Sequence, residues 1–239
     1  MKITIGHLFP DLLNLYGDRG NIAALTRRMQ ARGIETEVKS YGIDDDINFA
    51  DLDIVFIGGG SDREQLLVCK KLLTIKSDIT QYVENGGTLA AVCGGYQLLG
   101  HYYQLENEKI EGLKILDIYT VQGSPRLIGN IILDSDYIGT TVVGFENHGG
   151  RTCINSHKPL GKVLYGYGND GESGYEGVVY KNVVATYLHG PLLPKNPVLA
   201  DKIIKNAVMK KDASFVLSDI ESTLENTAHD YIIKRFLKK

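Results

Sequence analysis

Short runs that are apolar throughout, each leading into glycine and then a helix-like segment, constrain this chain most. "DLDIVFIGGG" (51–60) and "TLAAVC" (88–93) are such runs. A strand apolar on both faces must be covered on both faces, which points to a parallel sheet between helical layers rather than a half-exposed antiparallel one. The first hundred residues supply the rest of the alternation. "KITIGHLF" reads as a strand, "NIAALTRRMQARG" as a helix ending at Gly33, and "IETEVKSY" as a second strand. "DREQLLVCKKLLTIKSDITQYVENGG" reads as one long helix closed by glycines, and "GYQLLGHYYQL" as another helix after the fourth strand. Strand and helix in turn imply an open, mostly parallel α/β sheet. From about Gly112 the texture changes to β-like runs separated by Gly, Asn and Asp, which predict an antiparallel extension or a mixed sheet edge. Helices near 197–210 and 219–237 close the chain. With 239 residues and no internal repeat or low-complexity linker, residues 1–239 read as a single domain.

Composition narrows the function classes. A net charge of −3 gives no electrostatic case for nucleic acid or an anionic membrane surface. Three cysteines, at 69, 93 and 153, show no Cys-x-x-Cys spacing. Sparse and odd in number, they argue against a disulfide framework and predict a reducing, cytoplasmic setting. The opening "MKITIGHLFPDLLNLYGDRG" runs into aspartates with no small-residue cleavage site, and no window reaches the roughly 18 apolar residues of a membrane span. No G-x-x-x-x-G-K-[ST] occurs, and "GGGSD" lacks the G-x-G-x-x-G spacing, so nucleotide binding by this chain is not expected, nor is a metal site.

Cys93 carries the chemistry. It ends a buried strand and precedes Gly94 and Gly95, so it sits on a sharp strand-to-helix turn where a neighbouring Cβ would crowd the backbone. There the helix start is expected to favour thiolate, and amides beginning with Gly94 N–H can hold an oxyanion. A thiolate working on acyl groups needs a base, normally His. His189 closes "VVATYLHGP" at the rim of a sheet; His148, in the glycine-rich "GFENHGGRT", is its rival. His7, His101, His157 and His229 have no comparable setting. A second rim loop, Gly58-Gly59-Gly60, offers further amides to the oxyanion.

Cys93, Gly95 and Gln97 form the pattern Cys-x-Gly-x-Gln, which resembles the nucleophile motif of the class I glutamine amidotransferases. Together with the glycine loop and Tyr187-Leu188-His189-Gly190, it is similar to the cobyric acid synthase branch. The segments "PDLLNLYGDRGNI" and "GFENHGGRT" are closer still to the glutaminase subunits of lipid II-amidating synthases. The resemblance implies a flavodoxin-like fold and hydrolysis of L-glutamine through a thioester on Cys93, with His189 as base and an oxyanion hole from Gly59, Gly60 and Gly94. It also implies an arginine on the substrate: Arg126 is the better match, Arg151 the second. Gln97 is expected to contact either the substrate or the "GGGSD" loop. The family commonly places an acid two residues after the histidine, where this chain has Pro191. The orienting acid is therefore expected from elsewhere in the chain, such as Glu146, or from another polypeptide. No cofactor is expected here; ATP and Mg would belong to a Mur-ligase-like ATP-dependent partner that uses the ammonia to amidate the D-glutamate of lipid II. Two other readings are a glutaminase of the cobyrinic acid type and a non-catalytic regulatory domain on the same scaffold.

Overall fold

The computed structural model describes residues 1–14 and 17–237. Of the "PDLLNLYGDRGNI" segment, Leu15 and Tyr16 lie outside the described residues. In chain order the elements are β1 (Lys2–Leu8), α1 (Arg19–Gln30), β2 (Glu35–Tyr41), β3 (Ile54–Ile57), α2 (Asp62–Thr74), α3 (Lys76–Glu84), β4 (Thr88–Val92) and α4 (Gly94–Leu98). Then follow β5 (Tyr102–Gln104), β6 (Lys109–Glu111), β7 (Tyr119–Ser135), β8 (Thr140–Cys153), β9 (Gly161–Tyr165), β10 (Tyr175–Glu176), β11 (Val178–Tyr180), β12 (Val183–Thr186), α5 (Pro197–Lys211) and α6 (Thr223–Phe236).

The main sheet runs β2-β1-β3-β4-β12-β11, parallel except for β11 at its edge. Every residue of β3, β4 and β12 is buried, as their unbroken apolar sequences require. Such a doubly wound order gathers the carboxyl ends of its strands along one rim, where the connecting loops make a crevice. Helices cover the faces. Arg28 of α1 donates through Nε and Nη2 to the two oxygens of Asp201 on α5, both at 2.7 Å, tying those helices together.

The residues after Gly112 form a second, mixed sheet ordered β10-β9-β7-β5-β6, with β8 paired to β7. Both expectations for this region are met: the edge of the main sheet is antiparallel at β11, and the extension is a sheet of its own built on the long β7–β8 hairpin. The second sheet is joined to the chain following β12 by an antiparallel bridge, where Phe145 and His189 exchange backbone hydrogen bonds of 3.2 and 3.0 Å.

Two helix boundaries differ from expectation. The segment 62–87 breaks at Ile75, whose backbone (φ −111°, ψ 18°) leaves the helical region. The redirected α3 buries Ile79, Tyr82 and Val83, and Tyr82 Oη donates to Thr88 O at 2.9 Å, pinning α3 to the start of β4. "GYQLLGHYYQL" is helical only to Leu98; Tyr102–Gln104 is a strand alongside β7. Gly100 presses on Ile118, where a Cβ would lie 2.6 Å from Cγ1, and Tyr102 stacks on Tyr119. Aromatic pairing across strands outweighs the short helical period here.

Candidate active site

Cys93 takes φ 51° and ψ −108° between β4 and α4. A side-chain-bearing residue with positive φ is strained, and such strain persists only where the surroundings fix it. Here Cys93 N–H donates to Thr186 O at 2.8 Å, at the end of β12. On the other side Gly95 N–H donates to Gly58 O at 3.0 Å, at the end of β3. Gly95 can be only glycine: a Cβ would lie 2.7 Å from Ile57 O and 2.8 Å from Gly58 O.

The thiol itself differs from expectation. Cys93 is 8% exposed, and burial, with the Asp18 carboxylate second, pushes its thiol up to about 12. The Gly94 N–H bond to the sulfur and the charge of Arg126 pull the other way without winning. The expected lowering fails because α4 is a five-residue turn, buried throughout, whose dipole does not offset the desolvation of a thiolate. Cys93 therefore rests as a thiol at neutral pH.

The glycine loop lies against this elbow, with Gly59 so close that a Cβ would sit 2.9 Å from Cys93 Cβ. Of the three amides expected to serve an oxyanion, Gly94 N–H bonds the sulfur and Gly60 lines the cleft above it. Gly59 N–H instead donates to Asp18 Oδ2 at 2.8 Å. Asp18 is fully buried, and that burial raises its carboxyl to about 7 against the pull of the Gly59 bond.

His189 follows β12 beside the elbow and is 1% exposed, its main chain fixed by the bridge to Phe145. Burial lowers its pKa to about 4, helped by His148, Arg126 and Lys195, so at neutral pH the ring carries no charge and can accept a proton. Its rival has another engagement. His148 stacks on Tyr187 at 3.6 Å, its Nδ1 lies 2.8 Å from Gly150 O, and its Nε2 is 3.7 Å from Glu146 Oε2. Since a carbonyl only accepts, Nδ1 carries the proton. Glu146 accepts from Tyr167 and Gly168 N–H, so both its oxygens serve the 167–168 turn and the His148 side of the wall. Tyr187 is held in turn by Glu176, Thr152 and Gln97.

A cleft of about 200 Å³ brings together Gly60, Cys93, Gln97, Tyr103, Arg126 and His148, while His189 is buried outside its lining. Arg126 stands where the β7–β8 register shifts between Gln122 and Leu127, a bulge that re-aims side chains. Its Nε and Nη2 donate to Asn147 Oδ1 and O at 3.1 and 2.9 Å, and Nη1 has no hydrogen-bond partner among the described residues. Arg151, the alternative, spends its guanidinium on the carbonyls of Gly149, Gly150 and Pro125. Gln97 reaches Tyr187 Oη at 3.0 Å rather than the "GGGSD" loop, and its side chain forms part of the cleft wall.

The CobB/CobQ-like glutamine amidotransferase domain matches residues 4–197. The chain belongs to that family. It is 45% identical to the lipid II isoglutaminyl synthase (glutamine-hydrolyzing) subunit GatD of Staphylococcus aureus (strain N315), over 98% of this chain and 96% of that one. Against the GatD subunit of Streptococcus pneumoniae (strain ATCC BAA-255 / R6) the identity is 42%, over 88% and 82%. A probable cobyric acid synthase of Methanocaldococcus jannaschii is 32% identical over 64% of this chain and only 32% of its own length. Among solved structures, PurLQS from Thermotoga maritima superposes with a TM-score of 0.58 at 15% identity, over 87% of this chain and 98% of that one. A structure described as a glutamine amidotransferase gives 0.56 at 16% identity, over 85% and 98%. These last two bear on the fold alone, which is the flavodoxin-like one of class I glutamine amidotransferases. The chain is a glutamine amidotransferase, and no described helix is long and apolar enough to cross a membrane.

Sequence reasoning missed Asp18, Gln65 and Asn147 at this amidotransferase site. Asp18 and Gln65 act on the glycine loop, and Asn147 holds the arginine. The signal for Asp18 lay in "GDRGN", whose contact with the loop spans 41 residues of chain.

Proposed function

We propose that this chain is the glutamine-hydrolysing subunit of a lipid II isoglutaminyl synthase. Arg126 takes the α-carboxylate of L-glutamine, since a planar guanidinium with a donor to spare suits a carboxylate. Cys93 Sγ attacks the side-chain amide carbon while its proton passes to neutral His189, and the oxyanion is met by Gly94 and Gly60 amides. His189 returns the proton to the departing nitrogen, which leaves as ammonia. Water then cleaves the thioester to glutamate and restores the thiol. The observation that carries this reading is the single cleft in which the strained Cys93 elbow faces Arg126.

The ammonia goes to a Mur-ligase-like partner that holds ATP and Mg and amidates the D-glutamate of lipid II in the cytoplasm, where free thiols such as Cys69, Cys93 and Cys153 persist. Pro191 stands where an orienting acid is usual, so that acid comes from the partner and hydrolysis is coupled to assembly. Restoring a group that orients a histidine is worth powers of ten in rate. Ammonia release measured against partner concentration tests this: kcat should rise at least tenfold, roughly the low end of such effects. A Cys93→Ala complex should amidate only with added ammonia. A flat response would mean that the orienting acid lies within this chain, and Cys93→Ala with full glutaminase rate would sink the mechanism.

A further inference from the structure

The glycine loop is pinned on both sides of one free peptide. In the Gly58–Gly59 peptide, the carbonyl accepts from Gly95 N–H at 3.0 Å and the N–H donates to Asp18 Oδ2 at 2.8 Å. A trans peptide points its C=O and N–H in opposite directions. Because the carbonyl faces the elbow helix, the Gly59 N–H must face away from it, into the buried carboxylate. In the Gly60–Ser61 peptide, the carbonyl accepts from Gln65 Nε2 at 3.2 Å and the N–H donates to Glu64 Oε2 at 2.8 Å. Between them, the Gly59–Gly60 peptide is fixed only through its neighbours. Gly60 N–H has no hydrogen-bond partner among the described residues, and Gly60 lines the cleft with Cys93.

We infer that Asp18 is a positioning residue for the oxyanion site: by holding Gly59 N–H it fixes the loop so that Gly60 N–H is the amide left facing the nucleophile. Asp18 is suited to this because it is rigidly housed. It is fully buried, it precedes α1, and two residues on Gly20 abuts Pro191, where a Cβ would lie 2.5 Å from Pro191 Cγ. Asp18 Oδ2 also sits 2.8 Å from where a Gly58 Cβ would be, so the carboxylate fills the space beneath the loop. One oxygen makes the Gly59 bond while Oδ1 has no partner among the described residues, a cost that a purely space-filling residue would not carry.

The inference rests on the glutaminase reading, and the test separates the two. In the full chain, Asp18→Ala frees the Gly59 peptide to rotate. Loss of an oxyanion donor costs about 10²–10³ in kcat, so kcat should fall at least tenfold while KM for glutamine, set at the Arg126 end, stays within about threefold. Asp18→Asn keeps an acceptor for Gly59 and should recover at least a third of the wild-type kcat. Amide hydrogen exchange at Gly59, read by NMR, reports without turnover: slow in wild type and Asp18→Asn, fast in Asp18→Ala. Equal kcat for wild type and Asp18→Ala, equal loss in Asp18→Ala and Asp18→Asn, or unchanged Gly59 exchange in Asp18→Ala overturns the inference. Should the wild type release no ammonia from glutamine even with its ATP-dependent partner present, the glutaminase reading falls, and the exchange comparison alone decides the role of Asp18.

Discussion

Replacing Gly95 with alanine measures how tightly the elbow is wedged. The new methyl would lie 2.7 Å from Ile57 O, 2.8 Å from Gly58 O and 2.8 Å from Ile57 Cγ2. Relaxed contacts between such atoms are about 3.5–4.0 Å, and two of the three partners are main-chain atoms that have no rotamer to change. Relief requires α4 to back away from β3, which stretches the 3.0 Å bond from Gly95 N–H to Gly58 O. Overpacking costs about 1–3 kcal/mol and a lost hydrogen bond about 1 kcal/mol, so Gly95→Ala should lose about 2–4 kcal/mol. For a chain of this size each kcal/mol moves Tm by about 2–4 °C, so the melt should shift down by roughly 4–16 °C. Thermal unfolding followed by circular dichroism reads this directly. Gly33→Ala is the control: its φ of +71° is unfavourable to alanine, but nothing lies within 4 Å of the added Cβ, so its loss should be smaller. At 25 °C the folded Gly95→Ala protein should also turn over glutamine about a hundredfold more slowly, since a displaced sulfur is a misplaced nucleophile. A melt within about 2 °C of wild type, with full turnover, would refute the claim that the close approach to β3 holds Cys93 in its strained conformation.

Arg126→Ala should raise KM for glutamine about ten- to a hundredfold, the range for a hydrogen bond to a charged group; unchanged KM and kcat would remove Arg126 from recognition. Glutamine hydrolysis by the isolated chain should hold from neutral pH down to about 5 and fail as His189, lowered to about 4, takes up a proton and can no longer accept one from Cys93. An acid limb centred near 6.5 would show that His189 is not buried as described. A glutamine-like electrophile should label Cys93, whereas a plain alkylating reagent should reach half-buried Cys153 first. Preferential alkylation of Cys93 by the plain reagent would contradict its raised pKa.

The strand-to-helix elbow at Cys93 was legible in the sequence because its constraint is local. A cysteine between a buried strand and two glycines leaves few backbone solutions, and Gly94 and Gly95 are needed within two residues of it. The parallel core was legible for the same reason, since "IVFI" and "TLAAV" cannot be solvated on either face. What escaped was decided at a distance. Ile75 looks like any helical position, and the break there follows from where Tyr82 finds its acceptors at Thr88 and Asp53. The lowered thiol pKa expected at Cys93 failed because burial depends on the second sheet closing over the elbow, which no short window contains. The resemblance put Arg126 ahead of Arg151 without a physical reason; in the structure Arg126 stands at the bulge between Gln122 and Leu127 and lines the cleft, while Arg151 goes to backbone carbonyls.

The bridge between Phe145 and His189 ties the candidate base to the hairpin that carries Arg126 and Asn147. On the proposed mechanism, recognition and proton transfer are therefore tied into one stretch, from β7 to Gly190, while the attacking sulfur comes from the parallel sheet. Anyone grafting a new amide-donor preference onto this scaffold would have to move that whole stretch together, because a hairpin exchanged alone would arrive without the strand end it is stitched to.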